Sequence, residues 1–266
     1  MNFYKGKTVW ITGASSGIGE ALTYALASRG ARIIISARRI EELQRVQQQA
    51  SPANVHILPL DLEATASFPA AVGEAIKAFG QIDIMIHNGG ISHRGLVKDT
   101  LPEVQRRVME IDYFSNMELT RLLLPHFLER RSGHFVAISS VMGKIGTPMR
   151  SAYAAAKHAL HGYFDCLRAE VWRDNIQVTL ITPGYIRTNV SFNAVTASGE
   201  KLNEMSKDIG RGYPADKTAL QILRAIEKGK KEKYVGKSFS KEWMAIHLMR
   251  LFPSIAFNVF KKAVPQ

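Results

Sequence analysis

The chain has 266 residues, of which 46% are hydrophobic and 22% charged, and it carries a net charge of +12. This balance excludes a disordered or fibrous chain and suffices to bury a sizeable core, most simply in one larger α/β domain. A single cysteine, Cys166, excludes an internal disulfide framework, and its place in the apolar pattern YFDCLRAEV predicts a buried, inert thiol. The N-terminal MNFYKGKTVW holds no apolar run long enough for a signal peptide or a spanning helix, so a cytoplasmic protein is expected.

Short runs rich in Val, Ile and Leu alternate with helical patterns along the first two thirds. KTVWITG precedes GEALTYALASRG, ARIIISA precedes RIEELQRVQQQA, and NVHILPLDL precedes FPAAVGEAIKAFG. IDIMIHNGG precedes a longer helical stretch ending near LLLPHFLERRSG. HFVAISS then leads through a loop to an alanine-rich helix, and IQVTLITPG follows. Nearly continuous apolar strands suit a parallel sheet covered on both faces, so the pattern predicts a doubly wound α/β fold in one domain, residues 1–266. Residues 191–213 lack a period and are expected to form a substrate lid. Residues 240–266 form an apolar, basic C-terminal extension.

The first turn between strand and helix reads TGASSGIG, Thr12 to Gly19, with glycines at 13, 17 and 19. Glycines there let backbone approach a pyrophosphate at a helix N-terminus, although a structural turn also favours them. At the end of the second strand, where a carboxylate would accept a ribose 2′-hydroxyl, the chain has Ser36, Ala37, Arg38 and Arg39. A guanidinium fork matches a 2′-phosphate, which points to NADP(H) with Arg38 as the better single candidate and Arg39 beside it. The competing reading is that both arginines border a solvated helix start. Further on, SAYAAAKHAL places Tyr153 and Lys157 four apart, on one helix face. They are either a packed tyrosine beside a snorkelling lysine or a phenol whose proton is made available by a cation.

These motifs, with HNGG at 87–90, ISS at 138–140 and PGYIRT at 183–188, stand in one order and spacing over about residues 5–190. Together they resemble the short-chain dehydrogenase/reductase family in its classical form, in the branch with a basic, apolar C-terminal extension. The resemblance implies a Rossmann fold with a mostly parallel seven-stranded sheet and helices on both faces. It also implies an NADP(H)-dependent oxidoreductase interconverting a lipophilic ketone or aldehyde and its alcohol. By resemblance Tyr153 is the general acid/base, Lys157 acts on the phenol and the nicotinamide ribose, and Ser140 bonds the substrate oxygen, with the adjacent Ser139 as the fallback that the spacing disfavours. Gly13, Ser15, Ser16, Gly17, Ile18 and Gly19 match the pyrophosphate turn, and Asp61 and Leu62 match the adenine pair. Asn88 and Gly89 match the adenine-ribose side, and Pro183, Gly184, Ile186 and Thr188 match the nicotinamide end. No metal is implied.

One position departs from the family. MEIDYFSN places Asp112 where an asparagine is usual in the helix before ISS. That asparagine bends its helix and holds a water in a proton relay. Asp112 either keeps the backbone role, pairs with Lys157 and weakens its pull on Tyr153, or relays protons itself. His87, also a departure, is expected to pack rather than catalyse.

From Lys217 onward there are eleven Lys or Arg against three glutamates, so most of the excess charge sits in the last fifth of the chain. WMAIHLMRLFPSIAFNVF, residues 243–260, is nearly long enough to span a bilayer but is interrupted by His247, Arg250, Pro253 and Asn258. It suits peripheral contact with acidic membranes, a cover over the substrate cleft, or a face of a homodimer or homotetramer. Nucleic acid is a weak candidate, since no aromatic-interleaved basic motif accompanies the charge. Met142, Ile145 and Tyr185 are expected to line an apolar substrate pocket. The alternatives to an enzyme are an NADP(H)-binding regulator with little turnover and a membrane-peripheral adaptor.

Overall fold

A computed structural model describes residues 2–50 and 52–263. Burial along the strands decides the layering. In β1 (Thr8–Thr12) Val9 and Ile11 join one apolar cluster and Trp10 joins another. In β2 (Arg32–Ser36) Ile33 and Ile35 join the first and Ile34 the second. Both faces of the sheet are therefore buried, as a period of two demands when each face meets a helix layer. β3 (Val55–Ile57), β4 (Ile84–His87), β5 (Gly133–Ile138), β6 (Ile176–Pro183) and β7 (Glu232–Val235) complete it. The order is β7-β6-β5-β4-β1-β2-β3 and every neighbouring pair is parallel. Strand order reverses between β1 and β4, which opens a crevice at the carboxyl ends of these strands.

The helices are α1 (Gly17–Ala27), α2 (Ile40–Ala50), α3 (Phe68–Phe79), α4 (Pro102–Met109), α5 (Ser115–Arg130), α6 (Ser151–Glu170), α7 (Lys207–Gly210), α8 (Ala215–Glu227), α9 (Lys241–Leu251) and α10 (Pro253–Phe260). Leu22, Val46 and Ile222 of α1, α2 and α8 pack on the Val9 face. Phe68, Leu123 and Phe164 of α3, α5 and α6 pack on the Trp10 face.

Between α4 and α5 the helix widens into a π turn, Glu110–Phe114. Val104, Val108, Asp112, Asn116 and Thr120 are all buried, at steps of four. Four residues overshoot one α-helical turn by about 40°, so such a row drifts off the contact face unless a wider turn absorbs the difference. The π turn does so and aims Asp112 inward.

Several expectations are corrected. Cys166 is exposed, not buried. Leu160, Phe164 and Leu167 hold the inward face of α6, and Cys166 falls on the outer face beside Asp165. Residues 191–213, expected as a substrate lid without a period, hold short ordered elements. Val195–Thr196 pairs in parallel with His93–Arg94, Tyr213–Pro214 pairs with Ile186–Arg187, and α7 lies between. Glu232–Val235, read as part of the basic flank, is the seventh strand, and its exposed Glu232 and Lys233 suit a sheet edge. Ile145 is buried with Val141 and Ala154 against Ala245, Ile246 and Met249 of α9, so it supports the extension rather than facing the cleft.

Candidate active site

The crevice at the strand ends is a cavity of about 590 Å³. The glycine turn forms one end. Gly13 and Gly17 have φ of +65° and +61°, a region costly for other residues. A Cβ on Gly13 would stand 2.7 Å from Gly89 Cα, and one on Gly19 would stand 2.4 Å from the Gly13 carbonyl. Gly13, Ser15, Ser16, Gly17 and Ile18 line the cavity, whereas Gly19 sits behind them and lets α1 close on the turn. The Ser16 side chain makes no capping bond, which leaves the first backbone N–H groups of α1 without a side-chain partner at the cavity.

Asn88 and Gly89 line the cavity, and Asn88 also holds the turn. Its amide donates to the carbonyls of Thr12 (3.0 Å) and Gly13 (3.1 Å), so the side chain braces the glycine turn from behind. Thr12, which sequence reasoning did not single out, accepts from the backbone N–H of Asn88 (3.1 Å) and of Gly89 (3.0 Å). Its signal was its position just before Gly13. At the end of β2 the Ser36 hydroxyl accepts from the Trp10 indole at 2.9 Å. Arg39 reaches the turn, donating to Ser15 Oγ at 3.2 Å, while Arg38 stands 3.6 Å from the Glu63 carboxylate. A fork from Arg107 (2.8 and 3.0 Å) holds Glu63 below the usual carboxylate range, with Arg38 adding to the effect. Arg39 is thus the arginine bonded to the turn, and both line the cavity with Asp61 and Leu62.

Ser140, Tyr153, Lys157 and Asp112 converge in the middle. Ser140 follows β5 in extended conformation, and its Oγ accepts the Met142 N–H at 3.1 Å, which leaves the hydroxyl proton to donate into the cavity. Tyr153 lies on the first turn of α6, its ring packed among Val104, Val108, Ala152 and Ala156. Its hydroxyl makes no hydrogen bond among the described residues and opens on the cleft. Lys157 Nζ lies 5.6 Å from the Tyr153 ring centroid and donates to the Ile138 carbonyl at 3.4 Å.

Asp112 is fully buried, and its Oδ2 stands 3.3 Å from Lys157 Nζ. Oδ1 accepts the Ile91 N–H at 2.7 Å, and the Asp112 carbonyl accepts from the Asn116 amide at 2.8 Å. Burial pushes the Asp112 carboxyl up, and the neighbouring ammonium pulls it part of the way back. Burial also works against the Lys157 ammonium, but Asp112 and Tyr153 outweigh it and hold the lysine above its ordinary value. Of the alternatives for position 112, the carboxylate paired with lysine is the one this geometry matches. His87 is buried, stacks on Phe135 and bonds Thr120 at 2.8 Å; burial pushes it down to about 3, so it stays neutral.

Pro183, Gly184, Ile186 and Thr188 line the remaining wall with Met142 and Tyr185. The buried Glu242 of α9 accepts the Tyr185 N–H at 3.3 Å, and a Cβ on Gly184 would come within 2.8 Å of its carboxylate. The extension is therefore anchored directly beneath this wall.

The sequence model for short chain dehydrogenases matches residues 7–198. The chain belongs to this family. "Dehydrogenase/reductase SDR family member 7B" of Mus musculus is 41% identical over 263 residues, covering 97% of this chain and 81% of the relative. "Dehydrogenase/reductase SDR family protein 7-like" of Drosophila melanogaster is 41% identical over 267 residues, covering 98% and 81%. These alignments run through the extension as well as the family region. Among solved structures, a short-chain dehydrogenase from Streptomyces avermitilis superposes with a TM-score of 0.81 at 28% identity, covering 98% of this chain and all of that one. A short chain dehydrogenase/reductase from Burkholderia phymatum, in complex with NAD, gives a TM-score of 0.83 at 19% identity over 95% of each chain and shares the fold. The protein is an oxidoreductase of the short-chain dehydrogenase type, a family that binds a nicotinamide cofactor.

Proposed function

We propose that the protein is an NADP(H)-dependent reductase of carbonyl compounds with an apolar portion, with Tyr153 as the general acid. The observation that carries this reading is the convergence of Ser140, Tyr153 and Lys157 at the middle of one cleft whose end is the glycine turn. The residues present fit a dinucleotide. The glycines leave no room for a Cβ, and the turn and the N-terminus of α1 face the space where a pyrophosphate would lie. When bound, a reduced nicotinamide supplies hydride to the carbonyl carbon. Ser140 donates a hydrogen bond to the carbonyl oxygen, and Tyr153 passes its phenolic proton to that oxygen as charge develops. Lys157, kept charged by Asp112, favours the phenolate left behind and offers the nicotinamide ribose a donor. Met142 and Tyr185 lend the reacting end its apolar character.

The absence of a carboxylate at Ser36 to Arg39, and the bond from Arg39 to the turn, support a 2′-phosphate over a free ribose. Fluorescence titration is expected to show NADPH bound more tightly than NADH by about tenfold, the worth of one charge-assisted contact. The double substitution Arg38→Ala/Arg39→Ala should erase the difference. Equal affinities in the unsubstituted protein would sink the cofactor assignment and leave the oxidoreductase standing.

A second reading concerns the extension. Met244, Leu251, Phe252, Ile255, Phe257 and Val259 of the α9–α10 region are exposed, and Lys237, Arg250, Lys261 and Lys262 stand around them in the chain. No helix among the described residues is long and apolar enough to cross a membrane. We therefore propose that this apolar row lies in the interface of an acidic bilayer. Co-sedimentation with phosphatidylserine vesicles should be salt-sensitive and lost in Ile255→Ser/Phe257→Ser. Persistence of binding in that variant would retire the idea. A homodimer or homotetramer is the competing use of the same face.

A further inference from the structure

The cavity is richer in unpaired positive charge than hydride transfer to a neutral ketone requires. Its carboxylates are Asp61 near the glycine turn, Asp112 paired with Lys157, and Asp208, whose Oδ1 stands 2.6 Å from Lys241 Nζ. At the end formed by residues 92–94, 147–153 and the 191–209 segment, three further cations line the wall: Arg94, Arg150 and Lys201. None of the three has a carboxylate within ion-pair distance among the described residues.

Arg150 is the most constrained. It lies one helical turn before Tyr153, and its Nη1 donates to Ser92 Oγ and to the His93 carbonyl, both at 2.8 Å. Those bonds fix the guanidinium plane. Nε and Nη2 make no hydrogen bond among the described residues and are not sealed from the cavity, so the side-on, two-donor edge of the fork stays open. The preceding Met149 has φ of +65°, an unfavourable conformation for its residue type, and its carbonyl is held by the Gly95 N–H at 3.1 Å. The chain thus accepts backbone strain next to a half-buried cation. Burial and the neighbouring Arg94 both work against the Arg150 charge, which an anion would relieve.

We propose that the carbonyl substrate carries an anionic oxyacid group, a phosphate ester or a carboxylate, and that the open edge of Arg150, with Arg94 and Lys201, receives it. Calling this ligand a substrate rests on the reductase reading above; the anion site itself does not. Lys201 comes from the segment whose Val195–Thr196 pairs with His93–Arg94, so an anion bound here would join that segment to the strand end beneath it.

The test is equilibrium binding to the full chain saturated with nicotinamide nucleotide, so that the glycine turn is already filled. The probes are hexyl phosphate, hexanoate and hexanol. At least one of the two anions is expected to bind about tenfold more tightly than hexanol, and the order of the two identifies the oxyacid. Arg94→Gln and Lys201→Gln should each reduce that preference severalfold. Neither side chain supports the fold through a hydrogen bond, unlike Arg150. Equal binding of the three probes, or an anion preference that both variants leave intact, would overturn the proposal. Turnover is read separately. Failure to reduce any carbonyl compound while the anion preference persists would count against the reductase reading and support the site. Turnover of neutral ketones with no anion preference would overturn the site alone.

Discussion

Tyr153→Phe is expected to lower carbonyl reduction by roughly 10²- to 10⁴-fold, the usual worth of a positioned proton donor, while the protein still folds and still binds nicotinamide nucleotide. The ring sits among Val104, Val108, Ala152 and Ala156, contacts that phenylalanine keeps. The lost hydroxyl bonds nothing in the protein among the described residues, so no buried partner is stranded. Lys157 retains Asp112 and the Ile138 carbonyl as partners, so the nicotinamide end of the cleft is undisturbed. The measurement is steady-state turnover alongside a cofactor titration and thermal unfolding. Activity within tenfold of the parent would mean that another group delivers the proton, with Ser140 in the same cleft the first to test.

Asp112→Asn should move the pH–rate profile toward acid by about one to two units, ten- to hundredfold in rate on the limb concerned. The sign follows from charge. Asp112 holds Lys157 above its ordinary value of 10.5 against the opposing effect of burial. Removing the carboxylate makes the ammonium easier to lose and leaves the site more positive for any acid beside it, so both ionisations shift downward. The same reasoning gives the stability dependence. The raised lysine contributes fully at pH below its unfolded value and loses that contribution as pH rises through the higher folded value. In the variant the folded value falls toward or below the unfolded one, so this alkaline loss shrinks or disappears, a difference measurable in urea unfolding between pH 8 and 11. Asparagine keeps an oxygen for the Ile91 N–H and leaves the backbone carbonyl that accepts from Asn116, so a changed profile reports charge rather than a broken turn. An unchanged profile would return position 112 to a purely architectural role.

Much of this site was legible in the chain because each of its parts is local. The glycine turn needs only a strand, a helix and the spacing between them, and Tyr153 and Lys157 need only one helix. Ser140 is fixed by its place at the end of an apolar strand. What escaped depended on contacts between distant segments. Cys166 lay in an apolar pattern, but which side of α6 faces the sheet is settled by Phe164 and Leu167. Glu232–Val235 reads as polar flank and becomes a strand because β6 offers it a free edge. The bracing by Thr12 spans 76 and 77 residues, and the partner of Arg39 lies 24 residues away. Arg150 stood in plain view beside the tyrosine motif, yet its importance comes from the carboxylate that does not accompany it.

The π turn at Glu110–Phe114 also constrains how this sequence can diverge. The helices on either side are phased by it, Val104 and Val108 before it and Leu119, Leu123 and Phe127 after it, each buried through its own face. Removing one residue from the turn would let it close to an ordinary α turn with the flanking stripes still in phase, at the cost of the geometry that aims Asp112 inward. A descendant of this chain that lost one residue here would keep both apolar stripes but not the inward carboxylate. A one-residue gap in this stretch of a relative should therefore report a changed side chain facing Lys157 rather than a repacked helix layer.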